Sequence, residues 1–381
     1  MDLAERVERR RNADDESGPV ASWRALDPTV HLDEPVDRGE VVERLLDALS
    51  PVFDGRLPEP FAVYGPPGSG KSAVVTAVMA ELDAQLGSPV GAFHTSTRGA
   101  SGAGFRVVYI DVRYAPSRFQ LYRSLLSELT EEHVPERGIG TDALSERLGR
   151  ELAPPDRRVL LAIDHVGEPR TPSWGTIETA LDPLPGLSWF SIGRSVPETD
   201  RRRVSIPGYA DHALSDVLAV RATRGFTRGL DSDAVERLAT WADGNAHDGL
   251  CALYCAAIEA TETGAKRLTD AHMTAGRRAV PDDCIPVGEV LSLPRNRKRV
   301  LRTLLSEETT ELTIEPAAER IGERTDLSPG TVKRFLYELA ECGVLTRVQT
   351  VEAGGSGRTP SRVEPRFPIP AFERLVADGG D

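Results

Sequence analysis

FAVYGPPGSGKSAVV, residues Phe61 to Val75, decides the fold class of this 381-residue chain. An apolar strand runs into a glycine-rich turn, and the turn opens a helix. Gly65 to Ser72 fit the pattern G-x-x-x-x-G-K-[ST], in which each fixed position has a physical task. Gly68 and Gly70 let the backbone curl so that its N–H groups cradle phosphate oxygens at a helix N-terminus. Lys71 brings a mobile positive charge to the β- and γ-phosphates, and the Ser72 hydroxyl is a magnesium ligand. Pro66, Pro67, Ser69 and Ala73 complete the loop and its first helical turn, so the stretch predicts ATP and Mg2+ as cofactors. Ala73, Val74, Val75, Val78, Met79 and Leu82 then mark an amphipathic helix.

Outward from the loop, FRVVYIDVR (Phe105 to Arg113), VLLAID (Val159 to Asp164) and LSWFSIG (Leu187 to Gly193) read as further strands separated by helical patterns. Continuous apolar strands alternating with helices predict an α/β domain with a parallel sheet covered on both faces. Its expected span is 29–207, after a polar, charge-rich tail over 1–28 that reads as a helix plus a flexible lead-in. The glycine- and serine-rich insert Gly91 to Gly104 reads as a surface loop. Residues 211–280 are helical throughout, with capping signals at Asp211, at Asp231 or Ser232, and at Thr269, which sets a helical domain over 208–284. A last domain, 285–381, mixes short helices with a glycine-rich hairpin.

Acidic residues outnumber basic ones 59 to 46, for a net charge of −13. Only Lys71, Lys266, Lys298 and Lys333 are lysines, which leaves 46 − 4 = 42 arginines. Such an acidic, lysine-poor surface is like that of halophile proteins, although a GC-rich genome produces the same arginine bias; it argues against a uniformly basic nucleic-acid coat. Residues 290–381 hold 14 basic and 14 acidic side chains, so the excess negative charge lies upstream. No apolar run reaches bilayer length and the N-terminus has no apolar signal core, so the expected location is the cytoplasm, with no membrane partner. The four cysteines lack a paired CxxC spacing and read as reduced core residues.

A second motif is RRVLLAIDH, Arg157 to His165. A buried strand ending in a carboxylate, well after a phosphate loop, places Asp164 where it holds the magnesium ion through water. In the last domain, Ile314 to Val348 reads as helix, tight turn and second helix, opened by Ser328 as N-cap with Pro329 at its first position. Val332, Phe335, Leu336 and Leu339 form its buried face. Thr331, Lys333, Arg334 and Tyr337 face outward as a recognition helix would present them to double-stranded DNA. Two strands near Leu345–Val351 and Arg358–Arg366 enclose the tip Ala353 to Gly357, from which Arg358 and Arg362 reach phosphates or a minor groove. A winged helix also serves as a protein-docking module. The clustering of bases at helix and wing favours DNA.

The order of these parts resembles the archaeal origin-recognition and replication-initiator family of AAA+ ATPases, related to the eukaryotic origin-recognition and cell-division-control loaders. The likeness rests on Pro35 to Val75, Val108 to Leu126, VLLAIDH, Ser205 to Phe226 and Gly244 to Ala260, and spans nearly the whole chain. It implies an ATP-binding domain, a helical lid and a C-terminal winged helix, nucleotide-controlled binding to origin DNA, self-association and recruitment of a helicase. Three positions depart from the family. His165 stands where a catalytic glutamate is usual. The first sensor, usually asparagine, falls near Ser195 or Val196, and the second, usually arginine, falls at His247. A neutral imidazole can act as a base near pH 7, whereas loss of a positioned base costs roughly 10²- to 10⁴-fold in rate. Binding with slow hydrolysis is therefore expected. Arg201, Arg202 and Arg203 read as a charged loop rather than as an arginine finger. Two other readings share the architecture: a plasmid or mobile-element DNA-binding regulator, and a signalling ATPase whose winged helix docks a protein.

Overall fold

In Arg157–Asp164, Val159, Leu161 and Ile163 enter one apolar cluster while Leu160 and Ala162 enter another, and all five are fully buried. Successive strand side chains point to opposite faces, so a strand apolar at every position needs cover on both. The computed structural model supplies that cover. It describes residues 18–32, 34–86, 104–130, 132–155, 157–306, 308–349 and 360–378. The insert up to residue 103, the hairpin tip and Arg358 lie outside the described residues.

In chain order the helices are α1 (Trp23–Leu26), α2 (Gly39–Leu49), α3 (Lys71–Leu86), α4 (Arg118–Leu129), α5 (Thr141–Leu152), α6 (Trp174–Leu181), α7 (Asp211–Gly225), α8 (Ser232–Ala242), α9 (Ala246–Glu262), α10 (Asp270–Arg278), α11 (Val287–Leu291), α12 (Arg295–Ser306), α13 (Ile314–Thr325), α14 (Pro329–Glu341) and α15 (Ile369–Asp378). The strands are β1 (Phe61–Tyr64), β2 (Gly104–Asp111), β3 (Arg157–Asp164), β4 (Leu187–Gly193), β5 (Arg203–Ser205), β6 (Leu345–Gln349) and β7 (Ser361–Pro365). They fall into two compact units, His31–Tyr209 and Ala210–Asp381, the latter joined by the N-terminal segment ending at Val30.

In the first unit β1 to β5 form a parallel sheet in the order β2-β3-β4-β1-β5. One face packs on α4, α5 and α6 through residues such as Leu125, Leu148 and Ile177. The other packs on α2 and α3, where Phe61 and Phe190, paired across β1 and β4, stack with centroids 4.6 Å apart. Each fully buried aliphatic or aromatic side chain contributes roughly 1.5–3 kcal/mol. The four strands expected from sequence are present. β5 has three residues, too few to show a period, and is recognised only by its pairing with β1.

In the second unit, residues 18–28 correct the expected polar tail. Leu26 is fully buried, Val20 bridges Phe226, and the buried Arg221 donates to the carbonyls of Ala25 (3.0 Å) and Val30. A side chain at Gly225 would collide with Leu26, so the close approach of α1 to α7 requires glycine there. Asp231 and Thr269 cap α8 and α10 as expected, Thr269 in a reciprocal capping box with His272; Asp211 is the first residue of α7 rather than its cap. Ser328 caps α14 by accepting the Thr331 N–H at 3.3 Å, Pro329 opens it, and Val332, Phe335, Leu336 and Leu339 are buried. β6 and β7 then pair antiparallel. Two helices and an antiparallel strand pair thus follow one another over 314–365. No helix among the described residues is long and apolar enough to cross a membrane.

Candidate functional site

The phosphate loop is shaped by what crowds it. Gly65 abuts Ile206 so closely that a Cβ would collide with its carbonyl oxygen, and the Gly65 N–H donates to Gly193 O (3.3 Å). Gly70 has φ +79°, a left-handed conformation, and faces the Tyr209 hydroxyl with no room for a side chain. Arg38 braces the loop by donating to Ser69 O (2.7 Å) and Pro207 O (3.1 Å), and its guanidinium lies 3.5 Å over the Tyr209 ring. The Lys71 ammonium donates to the carbonyls of Gly65 (2.8 Å) and Pro66 (2.7 Å) and lies 3.3 Å from Ser69 Oγ. Burial lowers its pKa to about 8, against the pull of Asp164 and Glu168.

Asp164 ends β3 beside Asp111, its register partner at the end of β2. It accepts from Tyr109 Oη (2.5 Å), from the His165 N–H (2.7 Å) and from the Ser72 hydroxyl. Burial opposes its charge, yet the adjacent His165 and these hydrogen bonds hold the carboxyl below its ordinary range. Ser72 and Asp164 thus form a hard oxygen pair next to the glycine cradle, a donor set that suits magnesium.

His165 leaves β3 in a left-handed conformation, φ +66°, which turns its ring into a ring of carboxylates. Nδ1 lies 3.2 Å from Glu168, and Nε2 lies 3.8 Å from Asp164 and 4.0 Å from Asp111. Burial disfavours its cation, but Asp164 and Glu168 outweigh that and raise its pKa. Glu168, with a side chain only 5% exposed, also pairs with Arg194 at 3.0 Å. Arg113 grips Asp111 with Nε and a terminal nitrogen at 2.5 to 3.0 Å. Sequence reasoning passed over Tyr109, Asp111, Glu168 and Arg194. Asp111 was legible as a second carboxylate at a strand end; Glu168 and Arg194 had no spacing that links them.

The remaining expected residues are distributed as follows. Ser195 and Val196 line a cavity of about 390 Å³ with Trp174 and Glu178. Arg201 pairs with Glu178 and Asp182, and Arg202 donates to Asp47 O, which fits the charged-loop reading. His247 belongs to the second unit, at the start of α9, where Nε2 accepts the Val287 N–H (3.1 Å) and Nδ1 lies 3.1 Å from Asp248. Its donor atoms, with those of Asp248 and Cys284, lie within 4.8 Å of one another. The ring is already satisfied on both nitrogens, and the Cys284 thiol is pushed far up by burial, so the trio reads as packing. Around α14, Lys333 contacts Glu315 (2.5 Å), Arg334 contacts Glu338 (3.5 Å), Arg362 contacts Glu311 (2.6 Å) and Glu364 (2.5 Å), and Arg347 sits 5.0 Å from the Tyr337 ring. Thr331 stands at the capped end, its hydroxyl 2.9 Å from Ser328 Oγ.

Known proteins match this arrangement at three levels. The AAA ATPase domain family matches residues 34–188. The ORC1-type DNA replication protein 1 of Sulfurisphaera tokodaii is 28% identical over 355 residues, covering 84% of each chain. The haloarchaeal ORC1-type DNA replication protein 10 of Halobacterium salinarum is 24% identical over 346 residues, covering 86% of this chain and 70% of the relative. The structure of the Aeropyrum pernix ORC1 protein in complex with DNA superposes with a TM-score of 0.63 at 23% identity, over 95% of this chain and 97% of that one. Sheet order, phosphate loop and strand-end aspartate define a nucleotide-binding P-loop protein of the AAA+ class. Within that class the chain is similar over most of its length to the ORC1-type DNA replication proteins.

Proposed function

We propose that the chain is a nucleotide-controlled, DNA-binding initiator protein that binds ATP with magnesium and hydrolyses it slowly. One observation supports the reading above others: an intact phosphate loop and Asp164 stand beside a histidine whose ring is committed to carboxylates. Lys71 would neutralise the β- and γ-phosphates, and Ser72 and Asp164 would hold the magnesium ion. That ion supplies charge stabilisation for phosphoryl oxygens. Nδ1 of His165 faces Glu168 at 3.2 Å, so the group in place of the usual glutamate is poorly disposed to take a proton from water. The same reading extends to origin DNA, self-association and helicase recruitment, on the strength of the related replication proteins.

Nucleotide binding is tested by calorimetric titration of Mg·ATP into the wild type and Lys71→Ala; equal affinity for both would sink the reading. Turnover is tested by single-turnover hydrolysis with and without DNA, in the wild type and His165→Glu. A gain of about 10²-fold in the variant, the scale of a positioned base, is expected, and fast wild-type hydrolysis is the contrary result. A second reading has its own support. Lys333, Arg334 and Arg362 each face a carboxylate of their own domain, which weakens a DNA footprint and suits a protein-docking winged helix. Undiminished DNA affinity after Lys333, Arg334 and Arg358 are replaced by alanine would count against this DNA interface, and absence of DNA binding in the wild type would favour docking. Genome-wide occupancy separates an initiator from a plasmid or mobile-element regulator: origins for the first, promoters alone for the second.

A further inference from the structure

Glu168 is the one buried carboxylate of the site with no place in phosphate-loop chemistry. Its Oε2 lies between two nitrogen groups, His165 Nδ1 at 3.2 Å and the Arg194 guanidinium at 3.0 Å. The loop that carries it is built to hold it in place. Thr171 Oγ1 accepts the Glu168 N–H (2.9 Å) and donates to His165 O (2.6 Å), while the Val166 N–H donates to Ile192 O (2.9 Å) on β4. Arg194 is placed as firmly by topology. It follows β4, the neighbour of β1, and Gly193 immediately before it accepts the N–H of Gly65, the first residue of the phosphate loop. The arginine therefore starts level with the phosphate cradle, and its side chain is 26% exposed. Lys71 lies within the electrostatic reach of both Glu168 and Arg194.

We propose that Glu168 is a positioning residue that competes with the γ-phosphate of ATP for Arg194, so that this pair sets the preference of the site for ATP over ADP. A γ-phosphate bound at Lys71 adds an anion beside the Glu168 carboxylate, and the Arg194 guanidinium is the cation that either anion takes. ADP lacks that phosphate and leaves Arg194 on Glu168. The inference rests on the nucleotide-binding reading above and adds the residues that discriminate between nucleotides.

The test is calorimetric titration of Mg·ATP and Mg·ADP into the full chain, the wild type, Glu168→Gln, Arg194→Gln and the double variant. Glu168→Gln is expected to raise the ATP-to-ADP affinity ratio about tenfold, the scale of one charge-assisted hydrogen bond. Arg194→Gln is expected to lower ATP affinity with little change for ADP, and the double variant to match it. A buried packing role for Glu168 would lower the melting temperature without moving the ratio. An unchanged ratio in Glu168→Gln, or a rise that persists without Arg194, overturns the proposal. Should Glu168→Gln not fold, Arg194→Gln decides alone: a lost ATP preference supports the pair and a retained one refutes it. A wild type that binds neither nucleotide removes the parent reading as well, whereas binding with an unmoved ratio removes only this one.

Discussion

At the scale of single residues, the site is governed by steric closeness and by charge. Gly65 lies against Ile206 O with no space for a methyl group. Gly65→Ala is expected to cost about 1–3 kcal/mol in unfolding free energy through overpacking and to abolish ATP binding; denaturant melts and titration of the same samples check both. Asp164 is held ionised by hydrogen bonds from Tyr109, Ser72 and the His165 amide. Asp164→Asn should keep the fold and lose the metal response. ATP affinity measured in magnesium and in EDTA should differ for the wild type and coincide for the variant. His165 shows how little a residue type says by itself. In sequence it is a histidine in place of a glutamate, open to service as a neutral base. Three carboxylates within 4.0 Å of its ring raise its pKa instead, which makes it a poorer base.

At the scale of elements, legibility followed length and period. β3 was readable because eight residues include an unbroken apolar run, and α14 because an N-cap serine, a proline and four apolar residues at helical spacing agree. β5 was not, since three residues hold no period. A helix was expected in the N-terminal segment, but the burial of α1 (Trp23–Leu26) was not, for a related reason. Four residues cannot show an amphipathic stripe, and the partner that buries Leu26 is α7, some two hundred positions away in the chain. Leu26→Ala should destabilise the protein by roughly 2–5 kcal/mol, as a cavity in a packed core does. A tail residue would change stability by less than about 0.5 kcal/mol, so thermal or urea unfolding discriminates clearly. Ser328→Ala removes the cap of α14 and is expected to cost about 1 kcal/mol, read in the same way.

For the whole molecule, the net charge is −13, and in the C-terminal domain Lys333, Arg334 and Arg362 each face a carboxylate. Counterion release at each phosphate contact contributes about −0.9 to the slope of log affinity against log salt. Lys333→Ala and Arg334→Ala should each make the DNA-binding slope shallower by about one unit if these side chains meet phosphates. Fluorescence anisotropy over a salt series measures it, and unchanged slopes would move the interface elsewhere. The sequence by itself determined the nucleotide loop, the parallel α/β class, the strand-end aspartate and the helix–turn–helix, because each is written in contiguous residues through local backbone chemistry and periodic burial. Only the tertiary structure decided the carboxylate surroundings of His165, the pairing of Glu168 with Arg194, the bracing of the loop by Arg38 and the docking of residues 18–28. Those depend on groups far apart in the chain, such as Tyr109 with Asp164 and Arg38 with Pro207, and on a burial that turns small differences in distance into which group is charged.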